Sequence, residues 1–333
     1  MIKRMVAIAA GKGGVGKSSL AVNLAFALQK QGHRVGLLDA DVYGPSLEQM
    51  LPKGAPPSQS ERDAQWLIPG KAAGIALLTA AYFYPERKAA FVRAPVANAL
   101  IDQFLNKVEW GDLDFLIVDF PPGTGDVQLT LLQRGAFDGA LLITTPQEVA
   151  LLDVRKAASC FAKMHVPLIG VVENMSYLER EGKREALFGK GGGLKLAQEL
   201  STPLLGEIPI DPQLSEAGDL GVCLFDHAPD SPSAQAFTRV AHGVQKALES
   251  LPKIEWEPHL LPSGEIQIPE GVISAALLQD HCPCVRCGGV GKSSPDTRII
   301  QLQKMGRFVL KVNFTSGCSQ GLYPRTLLAE IAS

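Results

Sequence analysis

A glycine-rich segment near the start of the chain contains the residues most directly suited to chemistry. Residues 11–18 match the pattern G-x-x-x-x-G-K-S/T, which is typical of phosphate-binding loops. Backbone N–H groups can approach phosphate oxygens where φ is positive, which we expect at Gly13, Gly14 and Gly16. Lys17 would neutralise the β- and γ-phosphates, and the Ser18 hydroxyl would ligate Mg²⁺. The segment therefore predicts a site for a nucleoside triphosphate.

Three carboxylates follow apolar runs and could act on the bound phosphates. Asp39 closes the run at residues 34–39, and Asp41 lies two positions later. Each of these two side chains could hold a water, one on Mg²⁺ and one aimed at the γ-phosphate, and helix capping is the alternative. Asp119 closes the run at residues 115–119 and is expected to hold a Mg²⁺-bound water. The loop of prolines and glycines that follows it is suited to move on hydrolysis.

The elements that must position these side chains alternate along the chain. A helix-like stretch at residues 20–31 follows the first loop, and further buried strands are predicted at residues 139–145 and 168–174. Nearly continuous apolar strands separated by helices are typical of a parallel sheet with both faces covered. The predicted fold class is therefore doubly wound α/β, with ligands beyond the carboxyl ends of the strands. Asn174 lies at such an end, where it could hydrogen-bond adenine or be a plain buried asparagine.

The composition changes after about residue 250, where a proline-bearing stretch leads into short, strand-like segments. Alternating patterns at residues 264–269 and 307–314 indicate half-buried strands. We predict an ATPase-type domain at residues 1–250 and a small, mainly β domain at residues 254–333. Residues 288–294 repeat seven letters of the first loop, but no strand precedes them. We interpret this repeat as a flexible loop and not as a second nucleotide site.

Four of the six cysteines are placed to bind one metal in the second domain. Three lie within six residues in a C-x-C-x-x-C pattern and a fourth follows later, namely Cys282, Cys284, Cys287 and Cys318. Four thiolates that close a small domain favour structural zinc. An iron–sulfur cluster fits the same ligand type, and unliganded thiols are a third interpretation. The isolated Cys160 and Cys223 are predicted to be structural.

Composition and charge argue against several classes of function. The 333 residues carry a formal net charge of −2, with 46% hydrophobic and 20% charged residues, as in ordinary globular proteins. This charge gives no basis for a nucleic-acid partner. No apolar run approaches the roughly 20 residues that span a bilayer, and we interpret the apolar start as the first strand and not as a signal peptide. We therefore expect a cytoplasmic protein without a nucleic-acid or membrane partner.

A second lysine inside the loop, Lys12, is not required by the general phosphate-binding pattern. With it, residues 12–18 match K-G-G-x-G-K-S/T, and the chain resembles the deviant-loop NTPases, the group of MinD, ParA and the nitrogenase iron protein. The resemblance implies a nucleotide-sandwich homodimer in which Lys12 reaches the partner's nucleotide. It also implies that Asp41 positions the attacking water and that Asp39 supports Mg²⁺. The implied nucleotide contacts are Gly11, Lys12, Gly13, Gly14, Val15, Gly16, Lys17, Ser18, Ser19 and Asn174.

Five further motifs, in order, resemble the Mrp/ApbC group of iron–sulfur cluster carrier ATPases. They lie at residues 39–46, 110–114, 119–126, 173–177 and 188–193. The resemblance covers about residues 3–225 and implies a dimeric ATPase that binds iron–sulfur clusters and delivers them to apoproteins. Members usually carry a C-x-x-C pair shortly after the fourth motif, whereas residues 177–188 contain no cysteine. Either this chain does not carry the bridging cluster, or the ligands come from elsewhere, such as an assembly scaffold.

The cysteine-rich part resembles the small zinc-binding module at the front of gamma-butyrobetaine hydroxylase, which has three cysteines and one histidine. Cys318 stands in the place of the histidine, which implies a site of four cysteines. The alternative overall function is a regulatory or positioning ATPase of the MinD/ParA kind without its own cluster. The missing C-x-x-C pair favours that alternative, and the five Mrp-type motifs disfavour it.

Overall fold

Two compact units make up the chain. The computed structural model describes residues 1–61, 63–83, 94–251, 256–284, 287, 293–294, 296–305, 309–315, 318 and 321–332. Most of the repeated loop at residues 288–294 and residues 252–255 of the predicted linker lie outside the described residues. The first unit comprises Met1–Leu131 and Gly139–Leu251, and the second comprises Leu132–Asp138 and Pro252–Ser333. Within the described ranges, no helix combines the length and apolar character needed to cross a membrane.

A sheet of buried, mostly parallel strands forms the centre of the first unit. Its described strands are β1 (Met5–Ala10), β2 (Val35–Asp39), β3 (Ser58–Gln59), β4 (Leu67–Ile68), β5 (Gly70–Ala72), β6 (Ile75–Thr79), β7 (Phe115–Asp119), β8 (Gly139–Thr144), β9 (Leu168–Glu173), β10 (Leu178–Arg180), β11 (Lys183–Glu185) and β12 (Leu204–Glu207). Eight of these described strands form one sheet in the order β12-β9-β8-β1-β7-β2-β6-β5. Neighbours in it run parallel, except for the antiparallel pair β5 and β6. The α/β fold predicted from the apolar runs is thereby confirmed.

Helices connect these strands and pack against the sheet. The described helices up to Leu251 are α1 (Lys17–Lys30), α2 (Leu47–Met50), α3 (Ala94–Asn106), α4 (Asp126–Arg134), α5 (Glu148–Lys163), α6 (Gly192–Glu199), α7 (Pro212–Leu220), α8 (Leu224–His227) and α9 (Pro232–Ser250). Helix α1 packs on β1, β2 and β7 and also against α9. Their buried side chains share one apolar core, which includes Ile8, Phe26 and Phe237. The burial of this core is the main favourable contribution to folding.

The strand register brings the acidic ends of two strands together. Asp39, the last residue of β2, lies opposite Asp119, the last residue of β7. Asp119 is also the register partner of Ile8 in β1, next to the start of the glycine-rich loop. Because the carboxyl ends of parallel strands meet at one edge of the sheet, the loop and both carboxylates lie at that edge.

The second unit is small and antiparallel. Its described elements are β13 (His259–Leu260), β14 (Ile266–Ile268), β15 (Gly271–Ile273), α10 (Ala275–Asp280), β16 (Ile299–Met305), β17 (Val309–Phe314), β18 (Leu322–Pro324) and α11 (Arg325–Ala332). They form two three-stranded sheets, in the orders β13-β14-β15 and β16-β17-β18. Trp256, Leu278 and Tyr323 lie in the apolar core of this unit. The predicted strand at residues 307–314 corresponds to β17, with residues 307–308 outside the described part.

Candidate functional site

The loop between β1 and α1 has the backbone shape of a phosphate cradle. Gly14 and Gly16 have φ of 80° and 90°, in the left-handed region that favours glycine. Gly13 was expected to join them, but its φ is not positive. A Cβ at Gly11 would lie 2.1 Å from the backbone of Asp153 in α5, so only glycine fits this approach. Helix α1 begins at Lys17, and its N-terminus therefore faces the loop with the positive end of the helix dipole.

Asn174, directly after β9, holds the loop from the side. Its side-chain Nδ2 donates to the carbonyl oxygen of Val15 at 2.8 Å, and the residue is buried. A Cβ at Gly16 would lie only 2.2 Å from the same Nδ2, so the amide fills the space beside this glycine. The structure thus gives Asn174 a contact with the loop backbone that the sequence had not indicated. Its contact with adenine stays a prediction.

The buried Lys17 and Asp119 and the partly buried Ser18 form a cluster beneath the loop. Lys17 Nζ lies 2.6 Å from Asp119 Oδ1, and the Ser18 hydroxyl donates to Asp119 Oδ2 at 2.7 Å. Burial raises the pKa of Asp119, and the ammonium group of Lys17 opposes this effect. Hydroxyl and carboxylate oxygens are ligands that Mg²⁺ prefers. The donor set of Ser18 and Asp119 therefore fits a magnesium ion.

Asp39 is fully buried, and its carboxylate organises the loop that follows β2. Its Oδ1 accepts from the backbone N–H of Asp41 at 3.1 Å. Its Oδ2 accepts from the N–H groups of Ser46 and Leu47 and from the Thr79 hydroxyl, at 3.1, 3.3 and 3.1 Å. Burial and the neighbouring charge of Asp119 raise the pKa of Asp39 to about 7. Both oxygens thus hold protein groups, and the assignment of Asp39 to Mg²⁺ stays a prediction.

Asp41 lies on the loop that Asp39 organises and faces a cavity. Its Oδ1 accepts from the backbone N–H of Gly44 at 3.2 Å, and burial raises its pKa while the charge of Lys17 lowers it. The cavity has a volume of about 220 Å³ and lies between the segment with Asp41 and Tyr43 and the segment with Pro121 and Pro122. This placement suits a carboxylate that orients a water, and that role of Asp41 stays a prediction.

Lys12 differs from Lys17 in having no partner among the residues that the structure describes. It is partly exposed on the loop and makes no hydrogen bond or ion pair with any residue that the structure describes. Ser19, the last of the predicted contact residues, accepts a hydrogen bond from the Asn23 side chain through its carbonyl oxygen at 2.8 Å. A free ammonium group beside a phosphate loop is available to a ligand or to another chain.

Glu173 is a site residue that the sequence reasoning missed. It is the last residue of β9, with 1% of its surface exposed. Its carboxylate accepts from the Ser176 hydroxyl and from the backbone N–H of Gly193, both at 2.5 Å. Because Gly193 lies in the first turn of α6, Glu173 ties this helix to the strand end that carries Asn174. The signal that could have revealed it is the one used for Asp39 and Asp119, an acid that closes an apolar strand.

The four cysteines predicted to bind a metal meet in the second unit. The Sγ atoms of Cys282, Cys284, Cys287 and Cys318 all lie within 4.8 Å of one another, and those of Cys284 and Cys318 are 3.3 Å apart. With zinc–sulfur bonds of about 2.3 Å, a tetrahedral site places its sulfurs about 3.8 Å apart. The observed separations fit a single tetrahedral ion. A cluster of several irons distributes its thiolates over different irons and needs a wider set.

The local environment favours the protonated form of two of these thiols, Cys282 and Cys287. Burial raises the pKa of Cys282, which is fully buried, and raises that of Cys287 to about 11. Burial acts in the same direction on Cys284, but hydrogen bonds from Cys318 and Cys287 outweigh it and lower the pKa of Cys284. A thiophilic metal ion would displace the protons and bind the thiolates.

The segment after Tyr177, where a cysteine pair was expected, forms a charged hairpin. Strands β10 and β11 pair antiparallel, and the Arg184 guanidinium lies 4.3 Å from the centre of the Tyr177 ring. The hairpin residues 178–185 include three basic and three acidic side chains and no cysteine. This hairpin therefore offers no thiolate to a cluster.

Comparison with protein families gives two matches. The model of the ParA family, described as NUBPL iron-transfer P-loop NTPase, matches residues 1–245. The model described as gamma-butyrobetaine hydroxylase-like, N-terminal, matches residues 267–329. The two matches fall on either side of the predicted linker.

Two curated relatives, each named iron–sulfur cluster carrier protein, are similar over most of the chain. That of Haemophilus influenzae is 41% identical over 264 residues, which cover 79% of this chain and 70% of the relative. That of Pyrococcus horikoshii is 44% identical over 260 residues, which cover 75% of this chain and 88% of the relative. Both matches cover three quarters or more of this chain.

Two solved structures are similar to the fold. The nucleotide-binding protein of Archaeoglobus fulgidus in complex with ADP has a TM-score of 0.59 and 35% identity, covering 71% of this chain and 92% of that one. The septum site-determining protein MinD of Pyrococcus horikoshii, complexed with Mg-ADP, has a TM-score of 0.57 and 23% identity, covering 76% of this chain and all of that one. The similarity to MinD, at 23% identity, shows the fold alone.

Proposed function

Because the chain belongs to the ParA family of NUBPL-type iron-transfer P-loop NTPases, we propose that it hydrolyses ATP and carries iron–sulfur clusters to apoproteins. The ATPase part is carried by one observation, the contact of Lys17 and Ser18 with the buried Asp119 beneath the glycine-rich loop. The carrier part is supported by relatives that are named iron–sulfur cluster carrier proteins. The cluster is cargo in this proposal and not a resident cofactor.

The nucleotide site divides the work among few side chains. Lys17, the loop N–H groups and the N-terminus of α1 bind the β- and γ-phosphates. Ser18 and Asp119 would hold Mg²⁺, with Asp39 as their support, and the bound ion would supply positive charge beside the phosphate oxygens. Asp41 orients the attacking water. Asn174 holds the loop through Val15 and faces the nucleotide base.

We propose that the working form is a homodimer. Lys12 has no partner among the described residues and is therefore available to reach the nucleotide of a second chain. Exposed apolar side chains lie on α5, which approaches the loop at Gly11. Others lie in the segment before α6 and in α6 itself. They are Val149, Leu152, Leu187, Phe188 and Leu194, with exposed fractions of 64, 53, 54, 42 and 49%. An apolar surface of this kind beside the loop supports a partner chain there.

The second domain is proposed to be a zinc module. We keep the division into an ATPase domain at residues 1–250 and a metal-binding domain at residues 254–333. Four thiolates with the separations of one tetrahedral site favour structural zinc at Cys282, Cys284, Cys287 and Cys318. The ion would stabilise a domain whose apolar core is small. We further propose that the protein is cytoplasmic and has neither a nucleic-acid nor a membrane partner.

A second candidate function is a regulatory ATPase that positions a partner in its nucleotide-bound form. The hairpin of β10 and β11 favours it, because this segment contains no cysteine. In that case the protein would bind no cluster of its own.

Metal analysis after anaerobic purification distinguishes these functions. Iron, sulfide and zinc are quantified before and after cluster reconstitution, in the wild type and in a variant with Cys282, Cys284 and Cys287 changed to serine. Cys160→Ser is the matched control, because Cys160 is isolated from the other thiols. A reconstituted cluster that passes to an apoprotein supports the carrier function.

The variant then locates the cargo. Iron and sulfide that are lost with the three cysteines would mean that the second domain holds the cluster and that zinc is the wrong assignment. If the protein binds zinc and no form of it reconstitutes a cluster, the carrier function is contradicted and the regulatory ATPase is supported.

A further inference from the structure

Glu173 is a buried carboxylate that accepts hydrogen bonds from two separate elements. It ends β9, and 1% of its surface is exposed. Its Oε1 accepts from the Ser176 hydroxyl, and its Oε2 accepts from the backbone N–H of Gly193, each at 2.5 Å. The first bond stays within the turn that follows β9, whereas the second reaches α6, 20 positions later in the chain. Glu173 thus joins this turn to α6.

The bond to Ser176 closes a strained turn. Met175, which lies inside this turn, has a φ of 53°, in the left-handed region that residues with a side chain rarely adopt. Such a conformation persists only where the surrounding structure holds it, as the bond between Ser176 and Glu173 does here. The same turn carries Asn174, whose Nδ2 donates to the carbonyl oxygen of Val15 in the phosphate loop. The position of Asn174 on the loop therefore depends on a turn that Glu173 closes.

The bond to Gly193 belongs to a close approach between α6 and the sheet. A Cβ at Gly193 would lie 2.7 Å from Glu173 Cβ and 3.1 Å from Glu173 Oε2. A Cβ at Gly192 would lie 2.3 Å from the carbonyl oxygen of Pro146, two positions after β8. Glycine at both positions therefore lets the first turn of α6 pack on the ends of β8 and β9. These contacts give a structural reason for the glycines of the motif at residues 188–193, which the nucleotide site does not use.

We infer that Glu173 is a positioning residue that couples α6 to the phosphate loop. It holds Asn174 on the loop through the turn, and it holds α6 through the N–H of Gly193. A shift of α6 therefore acts on the loop, and with it on nucleotide affinity, through this one side chain. The inference rests on the proposed ATPase function and assigns to Glu173 an indirect role in nucleotide binding.

The coupling links the nucleotide to the surface proposed for the partner chain. Leu194 lies on α6, and Leu187 and Phe188 precede this helix, with exposed fractions of 49, 54 and 42%. Coupling between two binding sites is reciprocal, so each ligand changes the affinity for the other by the same factor. A chain that binds α6 in the position set by Glu173 would therefore strengthen ATP binding, and ATP would strengthen the binding of that chain.

Gly193→Ala tests the inference from a distance, because it changes α6 and none of the residues proposed to contact the nucleotide. The added methyl group would push the first turn of α6 away from Glu173. We expect the affinity for a fluorescent ATP analogue to fall about 3- to 10-fold, the range for one hydrogen bond. Glu173→Met removes both hydrogen bonds and should weaken binding to a similar extent.

Two further variants serve as controls. Glu173→Gln can keep both bonds, because its Oε1 can accept from Gly193 and its Nε2 can donate to the Ser176 oxygen. It should bind the analogue within about twofold of the wild type, since no hydrogen bond is lost. Gly218→Ala is the matched glycine substitution, since Gly218 also lies in a helix and its Cβ would meet only Met50 Cε, at 3.6 Å. It should bind the analogue like the wild type.

The same substitutions in an Asn174→Ala background separate positioning from a general loss of structure. If Glu173 acts through Asn174, Gly193→Ala and Glu173→Met should not weaken binding further in that background. A merely structural effect would add to the effect of Asn174→Ala. Full additivity would therefore overturn the inference.

The possible failures are distinguishable. If the wild type does not bind the ATP analogue, the proposed function is wrong. If the wild type binds it and both Gly193→Ala and Glu173→Met bind it equally well, only the role of Glu173 is wrong. Ser176→Ala takes their place if they do not fold, because it removes a single hydrogen bond. It should weaken binding in the wild-type background and not in the Asn174→Ala background, and equal losses in both would overturn the inference.

Discussion

Lys17 and Asp119, separated by 102 positions in the chain, form a buried ion pair with 2.6 Å between Nζ and Oδ1. The pair closes the phosphate loop onto the end of β7. Because the carboxylate of Asp119 already holds the ammonium group of Lys17 at the loop, this group can bind incoming phosphates with little movement. The same contact places Ser18 on the second carboxylate oxygen.

Lys17→Met should abolish nucleotide binding and also destabilise the fold. Removing one partner of a buried ion pair leaves an uncompensated charge, at a cost of about 3 kcal/mol. The double variant Lys17→Met with Asp119→Asn should regain most of that stability but no nucleotide binding. Urea unfolding and titration with a fluorescent ATP analogue measure the two effects. Nucleotide binding by either variant would contradict the role of Lys17.

Asp41→Ala should bind ATP normally and accumulate as the ATP-bound dimer, because the group that orients water is lost. Size-exclusion chromatography with ATP and phosphate-release kinetics provide the readouts. Lys12→Ala is the matched variant at the proposed interface and should bind ATP but remain monomeric. Hydrolysis at the wild-type rate by Asp41→Ala would show that this assignment is wrong.

Gly16→Ala should lower stability by about 2 kcal/mol or more, because it combines a positive φ with a 2.2 Å approach of the Cβ to Asn174 Nδ2. The penalty should be smaller in an Asn174→Ala background, where that clash is absent. Gly13→Ala is the control in the nucleotide-free protein, since its Cβ would meet no atom within 4 Å. Thermal unfolding of the wild type, the two single variants and the double variant gives the double-mutant cycle. Equal penalties in both backgrounds would contradict the packing of Asn174 on the loop.

Asp114 should make the free energy of unfolding depend on pH. It accepts from Lys3 Nζ and from the backbone N–H of Arg34, both at 2.8 Å, and these contacts hold its pKa well below the usual range. The pKa of an aspartate in the unfolded chain is about 3.9, and a lower pKa in the folded state stabilises the protein at pH values above that. This contribution is lost as the pH falls through about 3.9 and toward the lower pKa of the folded state. We expect about 1 kcal/mol for this partly exposed side chain.

Urea unfolding at several pH values between 3.5 and 6 tests this prediction on Asp114→Asn and on the control Asp219→Asn. Asp219 is exposed and makes no ion pair within the described residues. The stability difference between wild type and Asp114→Asn should shrink as pH falls. A difference that stays constant would exclude linkage to this carboxylate.

Cys282→Ser should reduce zinc binding from about one ion per chain to a small fraction, because one of four thiolates is lost from a fully buried position. Cys160→Ser should retain the metal. Zinc content by mass spectrometry and proteolysis of the second domain follow the two variants. Full zinc retention in Cys282→Ser would mean that the ion, if bound, lies elsewhere.

The functional elements with local signals were predictable from the sequence. The glycine-rich loop, the apolar strands that end at Asp39 and Asp119, and the cysteine spacing depend on neighbours a few positions apart. Gly14 and Gly16 have the positive φ expected of them, whereas Gly13 does not. Local composition indicates which glycines permit left-handed backbone, but the loop's surroundings select which of them adopt it.

Tertiary structure decided what each polar side chain contacts. The carboxylate of Asp39 holds N–H groups of its own loop, and the amide of Asn174 turns toward Val15. The buried Gln128 amide has no partner at all among the described residues. Such contacts follow from sheet register and helix packing across long sequence separations, and no short pattern encodes them. The sequence by itself determined which chemical groups are present and at which strand ends they lie, and only the packed fold determined which of those groups remain free to act.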